Sequence, residues 1–457
     1  MENQNAENTE RNTPQFGSLK NSVSLKLVII TVLILLLLIP ATMIKSLIEE
    51  REKMNQQALE EVHMKWAGQQ LIKGPVLSIP YEYETVENGV VSLVRSEWHI
   101  LPEDLNVNGK IEPKLLELGI FEIVVYDSDL NVDGSFLLNK KLANNTVKNI
   151  FWDQAFLTIG VSDLRGIEEE IDLRWNKEKM TVTPGTQLPS FINSGFTVNV
   201  SNLEELQEQE IPFNFNLNLQ GSENLSFLPV GNKTNISLQS GWSAPKFNGN
   251  FLPDTREVSD QGFNANWQVL QLNRNFPQSW EGFRYTDTLN ASAFGVDLML
   301  PLDDYQKSMR SVKYAIMTIV LTFLVFFLTE TFQKRRIHPI QYTIVGLSLC
   351  LFYVLLISLS EHMDFNLAYF IATFATVMMI SLYSVSVFKV KKYSLILVAV
   401  LTGIYSFLFV TLQLSDYALL MGSIGLSAIM GATMYFTRNI DWYGISLSNE
   451  KQEQLTC

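Results

Sequence analysis

Six apolar runs constrain this chain more than anything else in it. Each is near the length of about 20 residues that crosses a hydrocarbon core about 30 Å thick. They fall at about 25–44, 313–332, 341–360, 366–387, 393–413 and 417–436. Short connectors separate the last five, whereas roughly 270 residues of soluble-looking sequence lie between the first and the second. The chain is 47% hydrophobic overall, an average that a soluble protein would also give, so the clustering carries the argument. The sequence therefore predicts a cytoplasmic tail (1–24), an anchor helix (25–44), a juxtamembrane helix (45–72), an extracytoplasmic domain (73–312), a five-helix transmembrane bundle (313–436) and a second cytoplasmic tail (437–457).

The first run, LVIITVLILLLLIPATMI, is longer than the apolar core of a secretory signal, and IPATMIKS offers no A-x-A cleavage site. It reads as an uncleaved anchor. Orientation follows from Lys and Arg in short loops, which stay on the cytoplasmic side. Lys334, Arg335 and Arg336 follow the second run and Lys389, Lys391 and Lys392 follow the fourth, while SLSEHMDFN (358–366) and LQLSD (412–416) carry no Lys or Arg. Both termini are expected in the cytoplasm, and residues 45–312 outside.

One stretch, FFLTETFQKRRIHPIQY (326–342), adds a carboxylate to this basic loop. Ionisable groups inside membrane spans are costly and functional by default. Glu330 stands at the inner end of its helix, where Lys334 at i+4 offers an ion pair. At the opposite surface Glu361 and His362 share one loop and Asp416 lies in another. These four residues are candidate functional charges. No charged residue lies near mid-depth between the two sets, and transporters bind substrate near the midplane at broken helices. Transport is disfavoured on that ground.

After the anchor, Leu47, Met54, Ala58, Val62 and Trp66 form one helical stripe, suited to docking on the chain's own domain. From about 75 to 300 the texture becomes short alternating runs punctuated by Gly, Asn, Asp and Pro. FNFNLNLQG (213–221) has strict period two, with Phe213, Phe215, Leu217 and Leu219 on one face and Asn214, Asn216, Asn218 and Gln220 on the other. One-sided burial of antiparallel strands produces that pattern. LNVNGKI (105–111) and LNVDGSF (130–136) place Asn-Gly and Asp-Gly where type I′ hairpin turns want them. The predicted fold is an antiparallel β-sandwich.

Chemistry is sparse. The histidines of this domain are His63 and His99, and the cysteines are Cys350, in a span, and Cys457. Neither metal-ligand spacing nor a thiol nucleophile is present, and no phosphate-loop, G-x-S-x-G or H-E-x-x-H motif occurs. No cofactor and no catalytic residues are expected. Acid pairs such as Asp153 and Asp163 leave a glycan-processing enzyme as an alternative. The net charge of −13 argues against nucleic acid. The distinctive clusters are turn-like and aromatic, notably SGWSAPKFNGNFLPD (240–254) and GFNANW (262–267). Trp242, Phe247, Phe251, Phe263 and Trp267 are candidates to stack on a partner, or else to plug the end of the sandwich.

The stretches GPVLSIPY (74–81), LPEDLNVNGKIEP (101–113), GVSDLRGI (160–167), SGWSAPKFNGNFLP (240–253), FGVDLMLPLDDYQKSMRSVKYA (294–315), HPIQYTIVGLSLCLFYVLLISLSEH (338–362) and TRNIDWY (437–443) resemble the CreD family of bacterial inner-membrane proteins. The resemblance runs through nearly all the chain except its tails. It implies one anchor helix, a large periplasmic domain and a multi-span bundle, with a role in cell-envelope integrity and stress tolerance and no established catalytic residues. Together these readings predict a non-enzymatic protein in contact with the lipid bilayer and with a periplasmic protein or peptidoglycan. A transporter of a lipid or glycan is the other alternative. The run from Phe294 to Lys313, without Gly after Gly295, predicts a rigid junction near Pro301.

Overall fold

In lipid a backbone must satisfy its own N–H and C=O groups, so long apolar runs fold as helices. The computed structural model describes residues 23–87, 90–138, 147–189, 191–201, 203–282, 284–298, 304–333, 337–414 and 417–438. Its helices are α1 (Val23–Lys65), α2 (Thr286–Ala291), α3 (Asp304–Lys313), α4 (Ala315–Gln333), α5 (Pro339–Ser360), α6 (Phe365–Phe388), α7 (Lys391–Gln413) and α8 (Ala418–Thr437). Among the described residues five stretches are long and apolar enough to cross a membrane: α1, Gln306–Gln333 (α3 with α4), α5, α6 and α7. In α8 the corresponding stretch, Leu420–Tyr435, is shorter. Lys334, Arg335, Arg336, Asp416, Cys457, both tails and the junction around Pro301 lie outside the described residues.

The chain divides into a membrane unit, Met1–Lys53 with Leu302–Cys457, and a β unit, Met54–Pro301. The membrane unit turns its large apolar side chains outward, with Phe370 and Leu395 each 69% exposed, as a lipid-facing surface does. Its interior is aromatic. Phe352 lies 4.9 Å from Tyr353, 5.4 Å from Tyr369 and 4.6 Å from Tyr405, ring centre to ring centre, and all four are buried. The Tyr369 hydroxyl donates to the Tyr405 carbonyl at 2.8 Å and ties α6 to α7.

In the β unit the described strands form one ten-stranded and one eight-stranded sheet. Inner faces of both sheets feed one core, and Phe196 of the first meets Phe215 of the second edge-on at 6.4 Å. Along Glu210–Ser222 the phenylalanines and leucines are buried and the asparagines face out, as the period-two pattern requires. Most strand pairs are antiparallel, but two are parallel: Gln70–Ile72 with Leu225–Phe227, and Asp104–Ile111 with Lys233–Ser240. More than a hundred residues separate each pair, ample for the crossover that a parallel pairing needs.

The end of the stripe docks as expected, with Ala58 and Val62 packed on Ile123 and Val125 and Trp66 beside them, whereas Met54 is exposed. However, α1 stops at Lys65, short of residue 72, because Gln70 already begins a strand. Arg165 sets that stop. Its guanidinium donates to the main-chain carbonyls of His63 and Met64, two of the last acceptors of the helix, and to the Asp163 carboxylate. A cation on the final carbonyls complements the negative end of the helix.

The two expected hairpin turns are not turns. Asn108-Gly109 and Asp133-Gly134 lie inside long adjacent strands, Asp104–Leu118 and Phe121–Leu137, with Gly109 opposite Leu130 and Gly134 opposite Leu105. The reversal comes at Gly119, whose φ of +68° suits glycine. The mid-strand glycines instead give room. A Cβ on Gly134 would lie 2.1 Å from the Asp104 carbonyl oxygen and 2.8 Å from the Phe213 ring. Gly134→Ala is therefore expected to destabilise the protein by about 1–3 kcal/mol through overpacking, read as a lowered thermal midpoint. An unchanged midpoint would show that this strand pair can widen.

Candidate functional site

Residue Glu330, near the end of α4, is 7% exposed, in a region where an unpaired carboxylate is costly. Three segments converge on it. One oxygen forms an ion pair with Lys26, in the first turn of α1, and accepts the Ile337 main-chain N–H at 2.7 Å. The other accepts the Tyr342 hydroxyl of α5 at 3.0 Å. Tyr342 is itself packed edge-on against Phe323. His338 then caps α5: its Nδ1 accepts the Ile340 N–H while the Gln341 side chain accepts the His338 N–H, and Pro339 occupies the first helical turn, where its missing donor costs nothing. Glu330 is thus the centre of a structural clasp in which Lys26, just over 300 positions earlier in the sequence, is one partner. Pairing over that separation leaves no local signal in the sequence, and Lys334, the partner that spacing suggests, lies outside the described residues.

A second ion pair holds the other end of the anchor. Arg51 lies 3.4 Å from Glu361, at the end of α5, and Glu361 is 12% exposed on its side chain. Lys26 and Arg51 are 25 residues apart, about 37 Å of helix. The two pairs therefore bracket one hydrocarbon thickness and fix how far α1 slides against the bundle. His362 is exposed beside Glu361 and takes part in neither pair.

In the β unit the five aromatic candidates do come together, but against one another. Phe263 and Trp267 are buried, at 3% and 2% exposure. Phe247 packs edge-on against both, at 5.7 Å each, and Phe251 against Phe294. The Trp267 indole N–H donates to the Phe251 carbonyl. Trp242 is half-buried against the same core. Phe263 and Trp267 spend their faces inside the sandwich, whereas Trp242, Phe247 and Phe251 are only half-buried at its edge. Of the acids, Asp163 is bound by Arg165, which holds its carboxyl below the usual range, and Glu168 and Glu169 accept from Gln220 and Asn218 on the sheet.

His99 is buried at 3% exposure, between strands. Its Nδ1 is 2.9 Å from the Ser78 hydroxyl and its ring lies 5.3 Å from that of Trp280. Burial lowers its pKa to about 4, so the imidazole is neutral at pH 7. Among the described residues no group of three His, Cys, Asp or Glu is placed to hold a metal ion.

The family model described as Inner membrane protein CreD matches residues 22–443. The chain is also 36% identical over 423 residues to the Inner membrane protein CreD of Escherichia coli (strain K12), a match that covers 92% of this chain and 93% of that protein.

Two outcomes follow from the geometry. Glu330→Leu and Lys26→Met should each destabilise the detergent-solubilised protein, since truncating one partner of a buried pair costs about 3–5 kcal/mol. The double variant should be more stable than the sum of the two predicts, with a coupling of about 0.5–3 kcal/mol; strict additivity would remove the clasp. For His99 the unfolded imidazole titrates near 6.5 and the folded one near 4. The unfolded state thus binds the proton first as pH falls. Stability is full above about 6.5 and is lost on the way down to about 4, by about 2 kcal/mol at pH 5. Unfolding of His99→Gln between pH 7 and 5 should lack that slope, and equal slopes would refute it.

Proposed function

As this chain belongs to the CreD family of inner membrane proteins, we propose that it supports envelope integrity as a non-enzymatic scaffold, its β unit facing the periplasm to contact a periplasmic or cell-wall partner. The observation that carries this reading is the contrast between its two units. The interior of the membrane unit is apolar and aromatic. Its central rings pack on one another, and several of its hydroxyls return to their own helices, as Thr322 does to Thr318 and Ser348 to Ile344, while those of Tyr405 and Thr376 are buried without a hydrogen-bond partner among the described residues. A carrier of lipid or glycan binds near the midplane at broken helices, whereas α4, α5, α6 and α7 each run unbroken. The β unit has many polar side chains outward and its acids Asp163, Glu168 and Glu169 engaged in structural bonds, which favours recognition over hydrolysis.

The basic residues support the orientation. Lys26 at the start of α1 and Lys389, Lys391 and Lys392 between α6 and α7 lie at ends that alternating helices bring to one side, while Glu361 and Asp364 lie at the other. Positive charge on the cytoplasmic side supports a periplasmic β unit.

The test has two arms. A cysteine placed at Asn108, an exposed sheet position, should react with a membrane-impermeant maleimide in intact spheroplasts; reaction only after lysis would invert the topology. Cells lacking the protein should lose tolerance of cell-wall-directed antibiotics, and a chain lacking residues 54–301 should reach the membrane at normal level without restoring it. Full restoration by that truncated chain would place the function in the bundle instead.

A further inference from the structure

Two rows on the outer face of the eight-stranded sheet form an ordered array made mostly of uncharged amides, beside further rows that carry Lys110, Asp129, Glu112 and Asp127. Strand register brings Gln268, Asn235, Asn106, Asp133 and Asn214 into one row across five strands. The next row, two residues along, is Asn266, Ser237, Asn108, Asn131 and Asn216. Strands lie about 4.8 Å apart and outward residues about 6.7 Å along each strand, so the two rows form a regular grid. Nine of these ten side chains carry no charge.

The grid is held in place by its own bonds. Gln268 donates to Asn235 at 3.2 Å, Asn235 to Asn106 at 2.9 Å and Asn106 to Asp133 at 3.0 Å. In the second row Asn131 donates to Asn216 at 3.1 Å and Asn266 to Thr255 at 3.0 Å. A primary amide has two N–H donors and an acceptor oxygen with two lone pairs, so each linked amide keeps donor and acceptor capacity for a ligand. The side chains are oriented before any ligand arrives, which lowers the ordering cost of binding.

Over the part of the two rows that runs from Gln268 and Asn266 to Asn108 and Asp133 lies a shallow depression of about 680 Å³, bounded by Asp254 and Thr255; Asn131 and Asn216 continue the second row beyond it. A second, of about 650 Å³, adjoins it along the segment from Leu252 to Glu257. Leu252 stands at this rim 64% exposed. A floor of neutral donors and acceptors beside an apolar rim matches the two surfaces of a sugar ring, hydroxyls at the edge and C–H groups on the face. Asp133, Asp254 and Glu257 outnumber Arg256, the cation of the same lining, and the whole chain carries −13, so a polyanion is disfavoured.

We propose that this face is a binding site for a neutral glycan strand, its hydroxyl or acetamido groups bridging the two amide rows and a ring face resting on Leu252. The inference rests on the reading that the β unit contacts an envelope partner, and names the chemistry of that partner. The full chain in nanodiscs is titrated calorimetrically with tetraacetylchitotetraose, with maltotetraose and with tetragalacturonate. The neutral sugars should bind and the anionic one should not; preference between the first two separates an acetamido-bearing strand from a plain hydroxylated one. N108A/N131A changes two exposed positions and should weaken binding at least tenfold with an unchanged thermal midpoint. Should that double variant unfold, Leu252→Asp on the exposed rim should weaken binding in the same sense. Lys179→Ala, at the far edge of the sheet, should leave binding unaltered. Binding of neither neutral sugar, equal binding of tetragalacturonate, or wild-type affinity in N108A/N131A and Leu252→Asp would overturn the assignment. If the sugars fail to bind while the chain lacking 54–301 still fails to restore tolerance, only the glycan assignment falls, and the partner-binding reading stands.

Discussion

A carboxylate placed at membrane depth must be neutralised by geometry, and the membrane unit is organised around the answer to that demand at Glu330. Three donors from three segments, Lys26, Ile337 and Tyr342, meet on its two oxygens. Each donor sits where a helix begins, so one side chain fixes the start of α1, the entry to α5 and the end of α4 together. The Arg51–Glu361 pair repeats the device at the opposite end of α1. Apolar side chains alone could not set this register, because helices in lipid gain little from hiding one greasy face against another. Directional charge pairs at two depths can.

How much of this was legible in the sequence depends on the range of the interaction. An apolar run of 20 residues has one backbone solution in lipid, and the helices from α4 to α7 follow from that alone. Period two in FNFNLNLQG likewise has one reading, since slipping by a residue would bury asparagines. The Asn-Gly and Asp-Gly pairs misled because a two-residue turn signal is weak beside the pairing of strands 15 and 17 residues long. In those strands glycine answers to crowding by Leu130, Leu238 and Phe213, all set by tertiary register. The partner of Glu330 was invisible for the same reason.

The aromatic clusters show a related ambiguity. Trp267 and Phe263 alternate with asparagines along one strand, Gly262–Leu270, so the same segment that plugs the core also contributes Asn264 and Asn266 to the outer face. Sequence reading settled on the aromatics because large rings are the usual anchors of recognition. Alternation in a strand forces a choice, however: one face inward, the other outward. Here the rings went in, and the polar neighbours between them hold the exposed positions.

That choice separates the two units in chemical terms. Polar groups of the membrane unit such as Glu330, Thr322, Ser348 and Tyr369 close on one another's helices or on their own, as suits a region without water. Those of the eight-stranded sheet are linked into rows yet retain unspent donors and acceptors, and they are in contact with solvent. A sheet face needs only scattered charge to remain soluble, and lysine and glutamate would serve that end with no register between strands. Gln268, Asn235 and Asn106 instead line up across three strands far apart in sequence, each bonded to the next. Solubility does not require such alignment, whereas repeated contact with a repetitive, uncharged strand does.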